Sequence, residues 1–136
     1  MADVVKIVNG GLAIITNRFR GAGDEPTWVH WGTGGAAPNE AAITDTALVA
    51  PRDEARINGT ATRETTTVAN DTWQVVAELE CAVAAANIDE LGLFDSAGAA
   101  VPPVGGNLFM RGTFTAIPLN VGDKIEFTNK VRFADG

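Results

Sequence analysis

The chain has one cysteine, one histidine, one serine and no tyrosine among its 136 residues, and each scarcity narrows the chemistry open to it. Cys81 alone can form neither an intrachain disulfide nor a thiolate metal cluster. A serine triad would have to use both Ser96 and His30, and Ser96 lies in an apparent turn between strands. Cys81 falls on the apolar side of an alternating run, where an inert core thiol is expected rather than a nucleophile paired with His30. Positive charge is also thin. Ten Lys and Arg face 17 Asp and Glu, for a net charge of −7, and the basic residues are scattered singly from Lys6 to Arg132. Binding to a phosphate backbone draws on clustered cations, so no nucleic-acid partner is expected. No segment approaches the roughly 20 apolar residues that span a bilayer. The start, Met1-Ala2-Asp3, lacks a basic stretch followed by an apolar run. Neither a signal peptide nor a membrane anchor is expected.

Nor does any motif imply a cofactor or a metal. The acidic pairs Asp24-Glu25, Asp53-Glu54 and Asp89-Glu90 follow no calcium-hand spacing, and each reads as a solvated loop or strand edge. Gly32-Thr33-Gly34-Gly35 is followed by no helical segment and no suitably placed lysine, so it reads as a tight turn needing positive φ rather than a phosphate loop. The chain is expected not to be an enzyme.

What remains is a 46% hydrophobic, 20% charged sequence, long enough for one domain, residues 1–136, that buries roughly two thirds of its unfolded surface. Asn9 to Gly21 reads as a short helix with Asn9 as N-cap and Gly21 ending it, pinned to a sheet by Leu12, Ile15 and Phe19. Its β-branched Ile14, Ile15 and Thr16 leave a strand as the competing reading. Pro26 to Trp31 is extended, and Ala36 to Glu54 reads as a long connection hugging the surface, anchored at Leu48-Val49. Strands follow. Arg56 to Val68 is threonine-rich and extended, and Thr72 to Val83 places Trp73, Val75, Ala77, Leu79, Cys81 and Val83 on one face, with Gln74, Glu78 and Glu80 between them. Ile88 to Phe94, Leu108 to Ile117 and Lys124 to Phe133 complete the set, with a hairpin connection at Asn120 to Asp123; in the last, Ile125, Phe127, Val131 and Phe133 alternate with polar residues and are expected on the buried face. The fold class expected is all-β, an antiparallel sandwich with jelly-roll-like connections as one form of it, plus one short N-terminal helix.

Trp28 and Trp31 would face opposite sides of an extended strand, placing one indole in the core and leaving the other as an anchor for a partner. The alternative is that the Ala36 to Glu54 connection covers both.

The order of signals carries a resemblance. A Gly-Leu-started helix ending at Gly21, then Pro26, Trp31-Gly32-Thr33-Gly34, Thr46-Ala47-Leu48 and Glu54 come first. Ile88 to Asp95, Arg111-Gly112-Thr113-Phe114 and Val121 to Thr128 follow. From about Asn9 to Phe133 this resembles small structural proteins of tailed bacteriophages, among them head decoration (cement) proteins and tail-fibre or collar modules. The resemblance implies a virion protein without catalysis or cofactor. As a cement protein it would sit on the outer capsid, made in the host cytoplasm, often as a homotrimer bridging neighbouring copies of the major capsid protein. The residues expected first as contacts are Val4 and Val5 of the Ala2 to Val8 segment, Thr65, Thr66 and Thr67 of the threonine-rich edge, and Trp28 and Trp31. Two other readings stay open: a tail-associated fibre, collar or baseplate module, and a carbohydrate- or receptor-binding module stacking sugars on Trp28, Trp31 or Trp73.

Overall fold

Eight strands and one helix run through residues 3–135, which the computed structural model describes; Ala2 of the expected contact segment lies outside them. The order is β1 (Val4–Ile7), α1 (Asn9–Phe19), β2 (Trp28–Gly32), β3 (Ile57–Asn58), β4 (Thr60–Glu64), β5 (Thr72–Glu80), β6 (Ala86–Phe94), β7 (Leu108–Leu119) and β8 (Lys124–Arg132). They form two antiparallel sheets, a five-stranded one in the order β1-β7-β6-β2-β3 and a three-stranded one in the order β4-β5-β8. The all-β sandwich with one short N-terminal helix is thus the observed fold.

Period-two alternation decides what lies between the sheets. From β5 the core takes Val75, Ala77 and Leu79, with Cys81 just beyond; from β2, Val29 and Trp31; from β6, Ile88, Leu91 and Leu93. One extra residue in β7, between the partners of Leu93 and Phe94, lets Phe109 and Met110 both reach this core. The larger sheet also has a second buried face. Val8, Leu48, Phe94 and Leu108 cluster there, with Trp28 packed against them. Leu48 belongs to the long connection, so that segment roofs the sheet as a surface-hugging strap, although its neighbour Val49 points outward at 52% exposure.

Several local expectations change. The helix is real, but Val8, not Asn9, occupies the N-cap position, without a side-chain cap. Its end is as read: Gly21 has φ +77°, the Gly21 N–H donates to Arg18 O and the Ala22 N–H to Asn17 O, the paired bonds of a Schellman stop. Its buried face is Gly11 and Ile14, with Ile15 partly covered, while Leu12 and Phe19 are 57% and 81% exposed. The reason is close approach: a Cβ on Gly11 would run into the Phe109 carbonyl, so the helix seats its small residues on β7 and turns its large ones outward.

The expected strand from Arg56 to Val68 is two. β3 pairs with β2 in one sheet, β4 pairs with β5 in the other, and Gly59 makes the crossing, its N–H donating to Thr27 O. Asn120 to Asp123 is a turn closed by Asp123 N–H to Asn120 O, yet β7 and β8 belong to different sheets, so it bridges the sandwich rather than closing a hairpin. Val83 and Phe133 fall just past the ends of β5 and β8, where alternation no longer holds them inside, and are 56% and 52% exposed.

Candidate protein interface

Buried charge fixes the strap before any surface is considered. Glu90 on β6 is fully buried, and its carboxylate accepts from the backbone N–H groups of Gly34 (3.1 Å), Val49 (3.0 Å) and Ala50 (2.8 Å). Arg111 of β7 donates to it twice, through Nε at 3.0 Å and Nη2 at 2.7 Å. The same guanidinium reaches Asn39 O, Gly34 O and Asp45 Oδ2. Asp89, also buried, accepts from Gly35 N–H at 2.7 Å. The pair Asp89-Glu90 is therefore no solvated edge: it ties the 33–55 strap to the sheet.

The glycines at the start of the strap serve the same contact. Gly32, Gly34 and Gly35 have no positive φ; a Cβ on the first two would strike the Glu90 carboxylate, and one on Gly35 the Asp89 carbonyl. The expected positive-φ turn is replaced by a close approach of backbone to buried carboxylates.

The chemistry-bearing side chains are engaged locally. His30 Nε2 donates to Arg52 O at 2.8 Å, and Cys81, fully buried, donates its Sγ–H to Ala84 O at 3.1 Å. Among the described residues no group of three His, Cys, Asp or Glu is placed to hold a metal ion. No helix among them is long and apolar enough to cross a membrane.

Two grooves are lined by exposed apolar side chains. The first, about 240 Å³, runs between the helix and the end of the smaller sheet. Ile15, Phe19, Trp73 and Phe133 line it over a floor of Ile14 and Phe109, and Arg18 and Glu25 stand at its rim. Glu25 also accepts a 2.6 Å hydrogen bond from Trp73 Nε1, and Trp73 meets Phe109 edge-on at 5.4 Å, so one wall is held rigid. The second, about 450 Å³, opens at the sandwich mouth between Val5, Phe114, Ile117 and Phe127. Val5 is 61% exposed, on a β1 strand that pairs only with β7 and so leaves its outer edge open.

The expected contacts distribute unevenly over this surface. Val5 lines the second groove and Val4, half-buried, is paired with Thr113. Thr65, Thr66 and Thr67 are exposed in the turn after β4, beyond the strand edge to which they were assigned. The turn closes on Asp71, whose carboxylate accepts from the N–H groups of Thr66, Thr67 and Val68, and whose carbonyl accepts from Phe133 N–H at 2.8 Å. Those bonds hold the Asp71 carboxyl well below the ordinary carboxylate range, the Val68 and Thr66 amides foremost. The threonines thus support the end of the first groove. Trp28 is half-buried under Leu48. Trp31 has no exposed surface: its ring packs edge-on to Phe127 at 6.4 Å between the sheets, so it offers nothing to a neighbour on the folded subunit.

Sequence reasoning missed Phe19 and Phe133, which it placed inside. The readable signal was Gly10-Gly11 at the helix start, since small residues mark the face that approaches a sheet.

Comparison with protein-family models, with curated proteins and with solved structures gives no match to the chain.

Proposed function

We propose that the chain is a structural protein of a tailed-phage particle, acting as a head decoration (cement) protein that bridges major capsid subunits from the outer surface as a homotrimer. The observation that carries this reading is the helix–sheet groove with Phe19 and Phe133 exposed beside a rigid tryptophan wall. Large apolar side chains in a contiguous, polar-rimmed patch are what an association surface presents. A net charge of −7 keeps copies apart at long range, so association has to come from short-range apolar contact, and acidity suits a surface away from packaged DNA. An interface of about 1,600 Å², repeated over many symmetric copies, would turn modest contacts into mechanical reinforcement against internal pressure.

A sugar-stacking module has less to recommend it, because Trp31 is sealed in the core and Trp28 and Trp73 are half-covered. Co-sedimentation with expanded empty capsids tests the proposal. The wild-type chain should bind saturably and a Phe19→Ser variant much more weakly. Absence of capsid binding together with a saturable glycan-induced change in tryptophan fluorescence would replace this reading with the receptor-binding one.

A further inference from the structure

On the roofed face of the larger sheet lies a cavity of about 150 Å³, well above the ~10–15 Å³ that admits one water molecule. Its walls are mostly apolar, with Leu48 and Pro51 from the strap, Phe94 from β6, and Pro103 and Val104 from the loop after β6. Three polar side chains also line it: Thr46, exposed at its rim, and the buried His30 and Arg56, which are 0% and 6% exposed.

Each of the two buried side chains keeps one buried nitrogen without a hydrogen-bond partner among the described residues: Nδ1 of His30 and Nε of Arg56. The His30 tautomer follows from its other bond. A carbonyl only accepts, so Nε2, 2.8 Å from Arg52 O, carries the hydrogen and Nδ1 is the basic nitrogen. Arg56 is fixed by Nη1 bonds to Ser96 O (3.0 Å) and Gly105 O (2.9 Å) and by the Phe94 ring, 3.7 Å from its Cζ. It joins no salt bridge among the described residues. A buried guanidinium without a bonded carboxylate is a costly arrangement that an anion relieves.

We infer that this cavity binds a small organic carboxylate, one oxygen accepting from Arg56 Nε–H and the other from a protonated His30 Nδ1–H, with a short apolar body against Leu48 and Pro103. This site is separate from the two grooves and does not depend on the particle role. Burial holds the free His30 ring below its ordinary pKa against the opposing hydrogen bond to the Arg52 carbonyl; Arg56 adds to the lowering, and Glu54 and Glu90 oppose it. Asp95 is the acidic group acting on Arg56. A bound carboxylate offsets the Arg56 charge at the ring, so His30 takes up a proton on binding. Affinity therefore falls as pH rises through the ring's bound-state pKa.

The test is a titration of the ¹⁵N-labelled chain with acetate, propionate and butyrate, reading the His30 ring and Arg56 Nε–H signals against sodium chloride at equal ionic strength. Saturable shifts are expected with the carboxylates only, with about tenfold tighter binding near about pH 5.5 than near about pH 7.5. Arg56→Met should abolish them. Because that change also removes the bonds to Ser96 and Gly105, a second variant, Ala47→Phe, plugs the exposed rim while sparing the buried atoms. It should lose binding with an unchanged melting temperature. No saturable shift with any of the three acids in the wild-type chain, or shifts equal to those with chloride, would show a water-filled space only and overturn the inference.

Discussion

Arg111→Met removes the cation from the strap's anchor while nearly preserving volume. In the wild type the Glu90 carboxylate has five donors, three backbone amides and two guanidinium hydrogens, at full burial. The variant leaves a buried carboxylate on three amides, strips Asn39 O and Gly34 O of their Arg111 donor, and leaves Asp45 Oδ2 with only the Ala42 N–H. Breaking a buried pair by deleting one partner costs about 3–5 kcal/mol, a large share of the roughly 5–15 kcal/mol that holds a domain folded. With an m-value near about 1.5 kcal/mol/M, the urea midpoint should drop by roughly 2–3 M. A Glu90→Leu/Arg111→Met double variant separates two causes. If only the ion pair mattered, two apolar residues of similar size would restore stability. Here the amides of Gly34, Val49 and Ala50 would lose their acceptor, at about 1–3 kcal/mol each, so the double variant should stay at least about 3 kcal/mol below wild type. Urea unfolding followed by tryptophan fluorescence reads both. Arg111→Met within about 0.5 kcal/mol of wild type, or full recovery in the double variant, would refute the anchoring role of this pair.

Gly35→Ala drives a methyl group into the Asp89 carbonyl and should cost about 1–3 kcal/mol in thermal unfolding; an unchanged melting temperature would mean the strap is not seated as described. Asp71→Asn should destabilise at neutral pH. The Asp71 carboxyl is depressed in the folded chain, so its contribution is fully present above the unfolded value of about 3.9 and fades as pH falls through the lower folded value. The gap between wild type and variant should therefore narrow in acid, and a gap that widens contradicts the Asp71-centred turn. Phe19→Ser, at a site 81% exposed, should leave unfolding within about 0.5 kcal/mol of wild type while weakening capsid association by about 2 kcal/mol, roughly thirtyfold; equal affinity would move the interface elsewhere.

How legible the chain is depends on what each residue signals locally. The alternation of Val75, Ala77 and Leu79 against Gln74, Glu78 and Glu80 defines β5 and its inner face unaided, because one side of that strand is largely wet. Glu90 misled for the opposite reason. Its strand is buried on both faces, so alternation vanishes, and an acidic residue within Ile88 to Phe94 looks like an edge unless matched with Arg111 in another apolar run. That match spans 21 positions and nothing local announces it. In the helix, Leu12, Ile15 and Phe19 carry the stronger apolar period, yet the glycine face wins because backbone-to-backbone closeness on β7 excludes any side chain at Gly11. The threonine-rich run failed at Gly59, where a Cβ would meet Val75 and Val76 and where the chain passes from β3 in one sheet to β4 in the other. Trp28 and Trp31 were placed on opposite faces, as they are; of the alternative that the long connection covers both, Trp28 under Leu48 agrees, while Trp31 is covered instead by the smaller sheet through Phe127.

Electron microscopy of a tailed-phage particle assembled with this chain addresses the proposed role most directly. A cement protein should appear as an eight-stranded sandwich repeated at local threefold positions on the outer head, with the Phe19–Phe133 groove turned toward a capsid subunit or a sister copy. Particles whose heads and tails both assemble without the chain, and bind none when it is added back, would contradict a structural role in the virion.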